Sequence, residues 1–402
     1  MSATEDPVAP TDEGGTASPP MANRLAAAVL GVDVRVTVLA FVAAFALGAV
    51  LLALSDARTL DAMTSGAGLG AVLTSATGAV TRAYGALIRG SLGSTGALSE
   101  TLVAATVLIL TGLAVTIPLR AGLFNIGGEG QVIAGGLAGG YVGFAVEGLP
   151  LVVHLPLAVV AAMAGGALVG WVPGVLKART GAHEVISTIM LNNTLNFVAI
   201  WLLTTALFQV PGRADPISRN VLETARMPRP LTGLRVDVGI VLALLIALLV
   251  MWLLDRSTIG FELNAVGANP SAATASGMDV GRVTVRAMTL AGVAGGVAGS
   301  ALVLGVQGRI TPGFSAGLGF DGITVALLGR GTVGGTVAAG LLLGALKAGG
   351  RAMQARSGTA LDLVVVIQAF IIVFVAAPGL VRALFRVRAR PTTTNISQGW
   401  GS

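Results

Sequence analysis

Long stretches of this 402-residue chain carry no charged residue at all, among them 36–54, 101–119, 185–212, 238–254, 287–308 and 363–381. Each approaches or exceeds the roughly 20 residues an α-helix needs to cross the hydrocarbon of a bilayer. Lipid offers backbone groups no hydrogen-bond partner, so only helices and closed barrels span it. Barrel strands would be shorter and alternating. The chain is therefore expected to be an all-α polytopic membrane protein. Its composition agrees, with 54% hydrophobic residues, 11% charged residues and a mean hydropathy of +0.85.

A formal charge of +6 raises the question of nucleic acid, but the 25 basic residues lie scattered between apolar runs and form no soluble patch. They read as flanks of membrane segments, and no nucleic-acid partner is expected. With no cysteine, the chain has no disulfide, thiolate metal site or cysteine nucleophile. Its two histidines, His154 and His183, lie apart in sequence, and no metal site is expected.

Residues 1–23 are rich in Pro, Gly and acids and too poor in apolar surface to order themselves. They read as a tail, with residues 1–35 forming the tail and membrane approach. No basic region followed by a short apolar core opens the chain, so a cleaved signal peptide is not expected. The membrane domain is placed at 36–380 and a basic tail at 381–402.

About ten segments are expected: 36–54, 101–119, 122–146, 154–175, 189–208, 238–254, 286–306, 318–329, 332–348 and 359–378. The third opens with "AGLFNIGGEG" and the eighth with "GLGFDG". Both read as broken or half-depth helices whose backbone needs protein neighbours. The run "AGVAGGVAGS" at 291–300 suits close helix contact. Lys and Arg divide almost evenly between the two sides. The arginines 382, 386, 388 and 390 after the last segment place the C-terminus in the cytoplasm. Ten spans then put the N-terminus there too. The loop 209–237, with Arg213, Arg219, Arg226, Arg229 and Arg235, is left outside against the usual charge bias.

Segments three and eight each carry an acid followed by Gly, Glu129 in "GGEG" and Asp321 in "GFDG". They lie five spans apart and so run in opposite directions, the pattern of two inverted-topology halves meeting at a central pathway. A charge at a helix centre costs at least ~2.5–3.5 kcal/mol in lipid, so both acids are expected to face protein or water. Arg120 and Arg330, each nine residues away, are candidate partners. Two readings stand for the acids: bonding the free amides of a broken helix start, or touching solute. Asn192 and Asn196 share a helix face beside Asn193; with Gln131 and Gln368 they either bond between helices or read a polar solute. His183 and Glu184 read as interfacial.

The stretch "GFELNAVGANPSAATASGMDVGRV", 260–283, lies within a loop of about 255–285. Its Asn-Pro-Ser start predicts a short helix over 270–277 ended by Gly277. It is either a connecting helix or one offered to a partner's groove.

At this loop the sequence resembles the permease family of branched-chain amino acid, ribose and nucleoside ABC importers. "GFELNAVGANPSAATASGM" is similar to its cytoplasmic ATPase-docking loop. "GLFNIGGEGQ" (122–131), "GAHEVISTIMLNN" (181–193) and "GFDGITVALLGR" (319–330) resemble the nucleoside-type branch. Two positions depart from that branch, His183 where Asn is frequent and Asn193 where Tyr is frequent. The likeness runs from about 36 to 388. It implies a type II importer permease in a bacterial cell membrane. Its implied partners are a second permease, an extracellular binding lipoprotein and cytoplasmic ATPase subunits that bind the ATP. The chain has no G-x-x-x-x-G-K-[ST] phosphate loop; its two lysines, Lys177 and Lys347, each follow Leu. The chain itself is expected to bind no cofactor and to catalyse nothing. Gly267, Asn269, Pro270, Ala272, Ala273 and Gly277 are the expected coupling contacts, and Ala273→Trp the expected uncoupling change. Asn125, Glu129, Gln131, Asn192, Asn196, Phe320 and Asp321 are the expected path residues. Nucleosides are the expected solutes, with ribose or other simple sugars as the alternative. An ion-coupled secondary transporter is a rival that would use Glu129 and Asp321. A membrane enzyme on lipid-linked substrates is another, for which Asp255, Glu262 and Asp279 make no convincing cluster.

Overall fold

The computed structural model describes residues 34–358 and 360–386, so residues 1–33 and 387–402 of the expected tails, with Arg388 and Arg390, lie outside the described residues. Fifteen α-helices run through it. They are α1 (Val34–Ser55), α2 (Ala57–Thr64), α3 (Leu69–Ser91), α4 (Thr95–Leu119), α5 (Gly128–Ala145), α6 (Leu151–Thr180), α7 (Glu184–Leu203) and α8 (Gly239–Arg256). There follow α9 (Thr258–Ala268), α10 (Pro270–Ala275), α11 (Val280–Ser300), α12 (Leu318–Leu328), α13 (Val333–Ser357), α14 (Leu361–Ala376) and α15 (Pro378–Leu384). Helix α11 continues as a π-helix over Ala301–Gln307. The described residues contain no strand beyond an isolated bridge, Gln209 to Ser218.

Each of the ten expected segments contains a helix, but they are not ten equal spans. Seven described helices are long and apolar enough to cross, and an eighth candidate joins α14 to α15 across an 88° bend. Helix α5 has 18 residues, yet Glu129, Gln131 and seven glycines keep its hydropathy low; it is buried almost throughout and needs no apolar exterior. Helix α12 has only 11 residues. At 1.5 Å per residue it covers roughly half the hydrocarbon. The expected ninth segment is a full 25-residue helix, α13.

Helix α3 was not expected. Its span carries Arg82, Arg89 and several hydroxyls, so it is no apolar run, and Thr74, Thr77 and Thr81 return their hydroxyls to carbonyls four residues back. Tyr84 donates to Phe45 O at 2.6 Å, tying α3 to α1.

The two halves repeat one order of elements. A long helix (α4, α11) leads through a non-helical loop to a short glycine-rich helix (α5, α12), a long helix (α6, α13) and a shorter one (α7, α14). Their packing is reciprocal, α6 of the first half against α11 and α13 of the second against α4. The α6–α11 seam is made of glycines. A Cβ on Gly166 would lie 2.2 Å from Gly292 O, and one on Gly296 would lie 2.2 Å from Ala162 O. The expectation of close contact at 291–300 is met there.

Helices α8 and α11 join two opposite ends of the bundle. At one end, the segment 204–238 covers the ends of α5 and α11: Leu222 N–H donates to Gly143 O, Met227 N–H to Leu304 O and Val221 N–H to Gly308 O. His154, buried, adds bonds to Thr224 Oγ1 (2.8 Å) and Val142 O (3.0 Å). The other end holds α9 and α10 against the close of α4.

Candidate translocation site and coupling segment

The chain leaves helical geometry at Arg120 and regains it at Gly128, which strands the backbone of 120–127 inside the bundle. Buried peptide groups must be paired. Neighbouring side chains pair them. Asn125, fully buried, donates from Nδ2 to Ala114 O (3.0 Å) and Gln131 Oε1 (3.2 Å), while its Oδ1 accepts from Gly127 N–H (2.9 Å). Asn192 of α7 donates to Ile126 O (2.9 Å) and accepts from Gly130 N–H (2.8 Å). Glu184 accepts from Phe124 N–H (3.4 Å) and from Lys177 Nζ (2.6 Å). Its side chain is nearly buried, so it is a fastener of this loop and no longer a residue of the interface alone.

Glu129, 8% exposed, crosses from the first half to the second. Its carboxylate accepts from Ser315 Oγ–H (2.5 Å), Gly317 N–H (3.1 Å) and Gly319 N–H (2.8 Å). The amides it satisfies belong to the start of α12, where a negative group suits both the free donors and the helix dipole. The sequence suggested Arg120 as its partner. Arg120 makes no such pair, because it sits at the far end of the broken loop. The two helix starts meet head to head, since a Cβ on Gly128 would lie 2.9 Å from Gly319 O and one on Gly319 would lie 2.2 Å from Glu129 N. Only glycine allows this approach. The two motifs paired by the sequence therefore touch.

Asp321 is bound otherwise. Its Oδ2 accepts from Lys347 Nζ at 2.5 Å, and Arg330, the expected partner, stands past the end of α12. Asp321 and Lys347 border a cavity of about 390 Å³ with Val107, Leu318, Arg351 and Gln368. The pair is about one-third exposed to that space. Removing one partner of a charge pair at membrane depth strands the other, whereas removing both does not. Lys347→Met is therefore expected to lower initial uptake at least ~10-fold, and the double variant Asp321→Asn/Lys347→Met to come closer to wild type than either single change. Uptake at matched membrane levels measures this; three equal losses would rule the pairing out as the cause.

The expected loop of 255–285 is largely helical. Helix α9 was read as loop, and α10 ends at Ala275, two residues sooner than expected, because Gly277 takes a left-handed φ of +83°. Asn269 caps α10 by accepting from Ala272 N–H at 3.1 Å, and Pro270 holds the first helical position. Gly267 rests on the close of α4: a Cβ there would lie 2.1 Å from Arg120 O. Gly267, Asn269, Pro270, Ala272 and Gly277 are exposed. Ala273 is not; at 4% exposure it packs into the core, so it has no surface to offer a partner.

The remaining expected residues divide. Gln131 is fully buried, held to Asn125. Asn196 is half-buried on α7 and Phe320 is 46% exposed on α12. Ser315 and Lys347 were missed: Ser315 is an ordinary hydroxyl in sequence, and Lys347 had drawn notice only for lying outside a phosphate loop.

Long apolar helices, a buried broken-helix junction and an exposed capped segment at one end define a polytopic membrane permease. Residues 97–376 match the family described as branched-chain amino acid transport system / permease component, and the chain belongs to that family. It is 39% identical over 326 residues to guanosine ABC transporter permease protein NupP of Bacillus subtilis, covering 80% of this chain and 93% of that one. It is 36% identical to glucose ABC transporter permease protein TsgB13 of Haloferax volcanii, with 73% and 79% covered. It is 31% identical to nucleoside ABC transporter permease protein NupB of Lactococcus lactis, with 75% and 85% covered. Each of these organisms supplies a second, less similar match of the same kind, at 24–33% identity. No solved structure matches the chain.

Proposed function

We propose that this chain is the membrane path for nucleosides in an ATP-driven importer of a bacterial cell membrane. The observation that carries the solute class is the 39% identity spread over 93% of the guanosine permease. The glucose permease, at 36%, favours simple sugars as the second reading. A nucleoside presents a ribose as well as a base, so both readings share hydroxyl recognition.

In this reading α9 and α10 form the cytoplasmic coupling segment, which docks on ATPase subunits that bind the ATP. The exposed, capped α10 supports that role. The segment 204–238, at the opposite end of the bundle, then faces outward, where an extracellular binding lipoprotein delivers solute. Helix directions support the same orientation for the termini. The end of α1 meets the start of α14 around Leu52, Ser55 and Leu363, at the end of α13 remote from α10. The start of α1 and the end of α14 thus point to the coupling side, with both termini in the cytoplasm.

Uptake of labelled guanosine, ribose and glucose by cells with and without the gene tests the solute class. Loss of guanosine uptake on deletion, restored by the gene in trans, is expected. Loss of sugar uptake with guanosine uptake intact would overturn it.

A further inference from the structure

The glycine seam between α6 and α11 opens toward the end of the bundle that carries α10. A Cβ on Gly166 or Gly170 would lie 2.2 Å from the backbone of α11, and one on Gly174 would lie 3.1 Å from it. At Gly281 the gap to the Cβ of Ala178 has grown to 3.5 Å. Where the helices part they leave a groove of about 500 Å³, bordered by Trp171, Val175, Arg179, Arg282, Val285 and Arg286. None of these residues belongs to the expected path or to the expected coupling contacts.

Rim and floor differ in chemistry. Arg179, exposed on the rim, forms no hydrogen bond or ion pair with any described residue. Arg282 turns Nε to Asp279 (2.9 Å) and Arg286 gives Nη1 to Glu262 (2.8 Å), so each pair engages one nitrogen of a planar fork. Asp279 is occupied on both oxygens, since its Oδ1 accepts from Arg282 N–H at 3.0 Å. Three guanidinium groups against two acids leave the rim positive. The floor continues a lipid-facing stripe: Val160, Ala164, Leu168, Trp171 and Val175 follow one another on α6 at steps of three or four residues, and the next step is Arg179. Apart from half-buried Val175 these side chains are exposed, the Trp171 ring by 46%. From Leu168 to Arg179 the helix rises ~16 Å, about one leaflet of a ~30 Å hydrocarbon core. A free anion would match the rim and leave the floor bare, and a cytoplasmic protein does not reach the floor. A molecule with an anionic head and an apolar tail matches both.

We infer that this groove seats one anionic phospholipid, its phosphate held by Arg179, Arg282 and Arg286 and an acyl chain lying along Val175, Trp171 and Leu168. The inference rests neither on the solute class nor on α10 as the ATPase contact. Guanidinium forks match phosphate oxygens two at a time, and basic pockets between membrane helices suit such head groups. Helix α6 belongs to the first half and α11 to the second. The lipid therefore fastens the halves together where their glycine seam no longer does.

A benzophenone amino acid in place of Trp171 tests this in the complete importer, reconstituted in phosphatidylcholine bilayers with a minor share of phosphatidylglycerol of the same chains. Intact-mass measurement of the irradiated permease reads which lipid is attached. At position 171 phosphatidylglycerol is expected well above its share of the bilayer, whereas the same group in place of Leu248, exposed on α8, should take the lipids in bilayer proportion. One arginine beside an anionic head group is worth about a fivefold change in binding, so Arg179→Gln should cut the enrichment by about that factor and Arg179→Lys should keep most of it. Arg179 has no partner to lose, so an unchanged melting midpoint of Arg179→Gln in phosphatidylcholine alone verifies its fold. Adducts at 171 in bilayer proportion would overturn the inference, as would enrichment untouched by Arg179→Gln. Enrichment abolished by inorganic phosphate would give the rim to a free anion instead, and cross-linking to an ATPase subunit would give the groove to that partner. Either result also sinks the lipid site, while the nucleoside reading stands or falls separately on uptake.

Discussion

Glu129→Ala is expected to abolish uptake and to lower the unfolding midpoint of the purified permease. Three donors converge on this carboxylate, Ser315 Oγ–H and the amides of Gly317 and Gly319, in a site only 8% exposed. Ser315 can rotate to another acceptor, but the amides cannot. A buried donor left without an acceptor costs about 1–3 kcal/mol, and two are left here. The loss falls on the contact between the two halves, where the start of α12 is held against the start of α5. Gly128 and Gly319 bring the two backbones into direct contact there. Glu129→Gln should be intermediate: it keeps one acceptor oxygen but sets an N–H group against a donor. Uptake and a detergent melting curve check this together. Normal uptake and an unchanged midpoint in Glu129→Ala would show that the carboxylate does not hold the junction.

That junction shows how far sequence reasoning reaches. The two glycine-rich motifs were legible, because an acid among glycines in a membrane segment has few physical explanations. Their contact was not, since the bonds join residues 186 to 190 positions apart, while Arg120 and Arg330 lay temptingly near in sequence. Chain proximity misled because each arginine sits on the far side of a helix terminus, where the backbone turns away. The asparagines of α7 make a similar case. Asn192 and Asn196 share a face by helical spacing, yet only Asn192 reaches the broken loop. Hydropathy found the lipid-facing helices and missed α3, whose hydroxyls bond to its own backbone. Helix α5 escapes a hydropathy test for the opposite reason, being enclosed by protein. Exposure has to be known before polarity can be interpreted.

The proposed coupling segment, α9 and α10, yields the second large effect, through two variants that separate force transmission from docking. Gly267→Ala would place a Cβ 2.1 Å from Arg120 O, a backbone atom that cannot move without the start of the broken loop. Gly267 also lies against Gly122, so the coupling segment bears directly on residues 120–122. From there the chain passes through Asn125 to Glu129 and hence to α12. Overpacking of this kind typically costs about 1–3 kcal/mol. It would lift the segment off the loop, so Gly267→Ala is expected both to lower the melting midpoint of the isolated permease and to lose uptake. Ala272→Trp acts elsewhere. Ala272 is exposed, and its bonds, from its N–H to Asn269 Oδ1 and to its carbonyl from Ser276, are made by the backbone alone, so the isolated permease should melt normally. On the proposed docking of α10, the indole would keep the helix from seating on the ATPase, and uptake should fall by at least ~10-fold while basal ATP hydrolysis persists. Ala273→Trp, attractive from sequence, confuses the two effects because it would overfill the core. If Ala272→Trp imports at the normal rate, α10 is not the coupling contact; if Gly267→Ala melts and imports normally, the contact with Arg120 does not carry the stroke.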